Sequence, residues 1–99
     1  MISIEEISSI EQEIASQFSV TVEEVLGKSR KGACVKARHL ILFILHRKHN
    51  VYVSYLSRRY NRHSRTIEKA CHNFDFFIKS LSEYRGYYET ACVNIGINP

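Results

Sequence analysis

The chain has no Trp, a single Met and a single Pro, and no run approaching the ~18 apolar residues of a membrane-spanning helix. A soluble protein is therefore expected. Its three Cys, Cys34, Cys71 and Cys92, are odd in number and far apart, and no secretory signal precedes them. That pattern argues against a disulfide framework and for a reduced cytoplasmic setting, with Cys34 and Cys71 as buried thiols in apolar surroundings. The chain holds no Gly-x-x-x-x-Gly-Lys-Ser/Thr phosphate loop, so nucleotide hydrolysis has no support. A length of 99 residues leaves room for one small domain with a modest core.

Acidic residues are nearly absent from the middle of the chain. Between positions 28 and 72 a single acid, Glu68, stands among twelve Lys or Arg, a charge of +11, and all five His fall in the same block. Residues 1–27 carry −6 with no Lys or Arg, and residues 73–99 carry −1. So basic a block repels itself in isolation, and it reads as a surface shaped for a polyanion. The sequence pI of 9.1 fits a nucleic-acid-binding domain.

The pattern of apolar residues is helical throughout. In Val53 to Phe74, VSYLSRRYNRHSRTIEKACHNF, Val53, Leu56 and Tyr60 repeat at helical steps, with Arg58 and Arg59 expected to point outward. Asn61 marks a break. Ile67, Ala70, Cys71, Phe74, Phe77, Ile78 and Leu81 then share one face of a second helix, with Ser64 the expected cap. Two helices and a tight turn make a helix-turn-helix, in which the leading residues of the second helix meet base edges and the first crosses the phosphates. Those leading residues are Arg62, His63, Ser64, Arg65 and Thr66, followed by Lys69.

Upstream, Ser3 and Glu6 have capping-box spacing, and Ile7, Ile10, Ile14 and Phe18 make an amphipathic helix with an acidic outer face. Thr21 can cap a short helix ending at Gly27. GKSRKG, residues 27–32, is a loop whose Lys28, Arg30 and Lys31 can lie against phosphates or enter a minor groove. CVKARHLILFILHRKH, residues 34–49, lacks a helix breaker and is apolar nearly all round its middle, which predicts a central helix carrying Lys36, Arg38 and His39 near its start. The cations at its end, from His46 to His49, are explained by the helix dipole. Ser54 and Ser82 are plausible caps. Tyr84, Tyr87, Tyr88 and Ala91 or Cys92 should turn inward from a last helix, and the tail NIGINP should fray. His46 and His49 are three apart on one helix, but no further ligand completes a metal site, and no catalytic residue or cofactor is expected.

Together these segments resemble the C-terminal DNA-binding domain of the bacterial chromosomal replication initiator DnaA over about residues 10 to 80. VTVEEVLGKSRKGACVKARHL looks like that family's short helix, basic loop and Val-Ala-Arg-Pro-Arg-Gln segment, with Lys36 at the first Arg, Ala37 at the Pro and Arg38 at the second Arg. RHSRTIEKA is similar to the Arg-Asp-His-Thr-Thr-Val-x-x-Ala signature. Arg62, Thr66 and Ala70 match it, whereas His63, Ser64 and Arg65 stand in place of Asp, His and the first Thr. The resemblance implies an all-α domain of five to six helices with a Trp-repressor-like helix-turn-helix in the major groove and the basic loop in the adjacent minor groove. The implied partner is double-stranded DNA, in a cytoplasmic, nucleoid-associated setting, with replication-origin recognition or its regulation as the process. Both a stand-alone homologue and a piece of a longer protein fit. The replaced residues imply a preference other than the usual DnaA box. Neither a membrane nor a small-molecule substrate is implied. A protein-interaction module that keeps the fold is the alternative.

Overall fold

Six α-helices and no strand make up the described part of the chain, residues 2–99 of a computed structural model. Helix α1 is Ile4–Gln17, α2 Val22–Leu26, α3 Gly32–Phe43, α4 Val53–Tyr60, α5 Ser64–Ser80 and α6 Ser82–Ile95. The first two begin as their sequences predict. Ser3 and Glu6 close a reciprocal capping box, with the Glu6 amide donating to Ser3 Oγ at 3.1 Å, and Thr21 does the same with Glu24 at 3.1 Å.

Helix α3 is the centre. Leu40, Ile41, Leu42, Phe43, Ile44 and Leu45 are all buried, and the helix packs against α1, α2 and α5. Full burial of each such side chain contributes about 1.5–3 kcal/mol, so this run holds the fold together. Its C-terminal extension, Ile44–Lys48, widens into a π-helix whose bonds close through the His49 amide to Ile44 O at 3.2 Å. The chain leaves it through Asn50, at φ 56°, and buried Val51. From the other side, Ile67, Ala70, Cys71 and Phe74 of α5 face the core as their spacing predicts. Phe74 sits between the rings of Phe43 and Tyr84, with centroids 5.8 and 5.5 Å away. The Cα radius of gyration is 12.1 Å, near the ~13 Å expected of one compact body of this length.

Several local expectations are corrected. Leu81 does not join the buried face of α5: it is 44% exposed, because an extended backbone at φ −124°, ψ 119° ends the helix there. Neither Ser54 nor Ser82 caps, since the cap positions of α4 and α6 fall to Tyr52 and Leu81, which make no side-chain bond. The tail, expected to fray, is tied down. Gly96 takes the left-handed conformation at φ 77°, the Ile97 amide bonds back to Cys92 O at 2.9 Å, and Lys48 Nζ reaches Pro99 O at 3.2 Å. Ile95 and Ile97 pack half-buried against the core. In α6, Tyr88, Ala91 and Cys92 are buried, whereas Tyr84 and Tyr87 are only half-buried.

Candidate nucleic-acid interface

Three residues, 61–63, separate α4 from α5. Asn61 ends α4 in the left-handed conformation at φ 50°, where its short polar side chain is tolerated, and the Arg62 amide closes the turn on Ser57 O at 3.0 Å. The Ser57 hydroxyl donates to Arg62 O and braces the same turn. Ser64 is not the cap of α5. His63 is: its Nδ1 accepts from the Arg65 amide at 3.1 Å, and Ser64 becomes the first helical residue. Beyond it Arg65, Thr66 and Lys69 are exposed, and Arg58 is exposed at the end of α4.

The basic loop between α2 and α3 is stitched to this turn. Lys28 Nζ donates to Asn61 O at 3.0 Å, and the Arg62 guanidinium donates to Gly27 O at 2.9 Å and to Tyr60 O at 2.8 Å. Two elements 33 and 35 residues apart in sequence are thereby held side by side, loop against helix-turn-helix. Within the loop Arg30 and Lys31 are exposed, and Lys31 makes only a loose ion pair with Glu24 at 3.8 Å. A pair so exposed contributes ~0–1 kcal/mol and leaves the ammonium free for other anions.

Three residues of the predicted set lie elsewhere. Arg38 is buried, 5% exposed, and its guanidinium is spent on the loop's backbone: Nε donates to Val25 O at 2.7 Å, and Nη2 lies 3.0 Å from Ser29 O and 3.3 Å from Glu24 O and Gly27 O. Its Nε and Nη2 are spent on shaping the loop. Desolvation, with Arg62 close by, lowers its pKa, and the same two arginines add to a larger effect of burial in lowering that of His39. Arg59 does not point outward. Its fork grips Glu11 of α1 at 2.8 and 2.6 Å, and the Tyr60 hydroxyl completes the carboxylate's partners at 2.7 Å. Lys36 turns to α6, where it meets Tyr87 Oη at 3.4 Å and Glu83 at 3.5 Å over the faces of Tyr84 and Tyr87; the bond it donates to Tyr87 is the main reason its pKa is raised.

Glu11 is the residue that the sequence pattern misplaced on a solvated face. It lies four residues after Ile7 and three before Ile14, the spacing of the buried stripe, and that signal was available. No group of His, Cys, Asp and Glu among the described residues is arranged to hold a metal ion, and no described helix is long and apolar enough to cross a membrane. What the exposed cluster can do chemically is donate to anions, through Lys28, Arg30 and Lys31 in the loop and Arg58, Arg65 and Lys69 on the helices. Comparison of the chain with protein-family models and with curated proteins returns no match.

Proposed function

We propose that this protein binds double-stranded DNA, with the start of α5 in the major groove and loop 27–32 against the neighbouring backbone or minor groove. The observation that carries the reading is the stitch between Lys28 and Asn61 and between Arg62 and Gly27, which joins two cation-bearing elements into one unit. A solvated loop needs no such tie. Arg38 adds to it, because a buried guanidinium spent on four carbonyls gives the loop a fixed shape. The kinship that best accounts for the order of helices and for RHSRTIEKA is the DNA-binding domain of the DnaA initiator, with origin-type recognition and a changed base preference. Arg65 replaces a short Thr of that signature, and its guanidinium can reach O6 and N7 of one guanine bidentately.

The test is the salt dependence of binding to a mixed-sequence duplex, followed by fluorescence anisotropy. Log affinity should fall against log salt by ~0.9 for every phosphate neutralised. Replacing Lys28, Arg30 and Lys31 by Ala should flatten that slope and weaken all duplexes alike. An unchanged slope would remove the loop from the interface. A second reading, a protein-interaction module, draws on the acidic outer face of α1 and on Phe76, 61% exposed toward the other end of α5. It predicts no salt-dependent affinity for any duplex.

A further inference from the structure

Glu11 is fully buried on a helix whose other acids are exposed, and the hydrogen bonds to its carboxylate all come from α4. Arg59 Nε and Nη2 donate to its two oxygens at 2.8 and 2.6 Å, in the parallel fork that an arginine also makes with a phosphate. Tyr60 Oη donates at 2.7 Å to the oxygen that Nε holds. Arg59 has further partners at longer range, Tyr55 Oη at 3.4 Å and Ser8 Oγ at 3.5 Å, so most of its donors are engaged within the protein. Its neighbour Arg58 is exposed. Of two adjacent arginines in the last turn of the helix that would cross the backbone, α1 takes one and leaves the other.

We propose that Glu11 is a positioning residue for the DNA face: its carboxylate stands where a phosphate would stand on Arg59, and so fixes how many cations α4 presents. This rests on the DNA-binding reading. Packing alone does not call for it. An apolar side chain at position 11 would continue the stripe of Ile7, Ile10 and Ile14 without the cost of burying a charge. With the latch in place, non-specific attraction to the backbone is held down while the cations of the loop and of α5 are untouched.

The experiment compares the wild-type chain, Glu11→Gln and the double variant Glu11→Gln/Arg59→Gln on one mixed-sequence duplex across a salt series. Gln keeps an acceptor for Tyr60 but removes the charge that holds the fork. Glu11→Gln should steepen the slope by ~0.9 and gain about threefold in affinity for a fourfold drop in salt, beyond the wild-type change. The double variant should return to the wild-type slope, which a loss of packing alone would not produce. Equal slopes for the wild type and Glu11→Gln would overturn the proposal. A wild-type chain with no salt-dependent binding would instead sink the DNA-binding reading itself. Should Glu11→Gln fail to fold, the Arg59 Nε–H resonance of the wild type decides: it should stay in place when duplex is added, and a shift to a phosphate-bound position would refute the latch.

Discussion

Replacing Arg38 by Ala separates a residue that builds the loop from one that touches DNA. The guanidinium is 5% exposed and donates to four carbonyls, those of Glu24, Val25, Gly27 and Ser29. A hydrogen bond to a charged group contributes ~1.5–3 kcal/mol, and each buried acceptor left unpaired costs a further ~1–3 kcal/mol. These contributions overlap, and part is returned because no charge has to be desolvated. The net loss should be about 3–5 kcal/mol, a large fraction of the ~5–15 kcal/mol that holds a domain together. In urea, with a slope of ~1–1.5 kcal/mol per molar for so small a domain, the midpoint should fall by about 2–5 M. Arg38→Lys should lose less, since one ammonium reaches only some of the four oxygens. Under conditions where the variant is folded, its salt slope on DNA should match the wild type. If Arg38→Ala unfolds at the wild-type urea midpoint and its slope drops by about one phosphate, Arg38 is a DNA contact and the loop is shaped by something else.

Two further outcomes follow from the core and from the charge around it. Phe74→Ala should cost about 3–5 kcal/mol in urea unfolding, since the ring is 1% exposed and wedged between Phe43 and Tyr84; an unchanged midpoint would mean that α5 buries a different face. Burial and then the nearby Arg38 and Arg62 hold the pKa of His39 below its ordinary ~6.5, so the unfolded chain takes up that proton more readily, and stability should decline as pH falls through that value toward the folded one. His39→Gln should blunt the decline between pH 7 and 5, and an identical decline in both proteins would contradict the assignment.

The helices were legible because their signals are local. Ser3 with Glu6 and Thr21 with Glu24 mark two starts, Asn61 marks the turn, and the three- and four-residue steps from Ile67 to Phe74 mark the face that α5 buries. What the sequence concealed depends on partners distant along the chain. Arg58 and Arg59 are adjacent and alike, and only the position of Glu11, 48 residues earlier, distinguishes the exposed one from the latched one. Arg38 and Lys36 likewise looked like free cations until the carbonyls around Gly27 and the tyrosines of α6 were placed beside them. His63 displaces Ser64 as the cap because its ring nitrogen accepts an amide bond of the first turn, from Arg65, a choice between neighbours that composition does not decide. At Leu81 the periodicity runs on while the backbone turns.

The most direct test is selection of bound duplexes from a random library with the wild-type chain and with Arg65→Ala. The account predicts a defined site containing a guanine that Arg65 reads, different from the usual DnaA box. It also predicts that Arg65→Ala loses ~1–3 kcal/mol on that site and relaxes selection at one position only. An enriched DnaA box unaffected by Arg65→Ala would contradict the assignment of Arg65, and a library that returns no enriched sequence would contradict specific recognition by this helix-turn-helix.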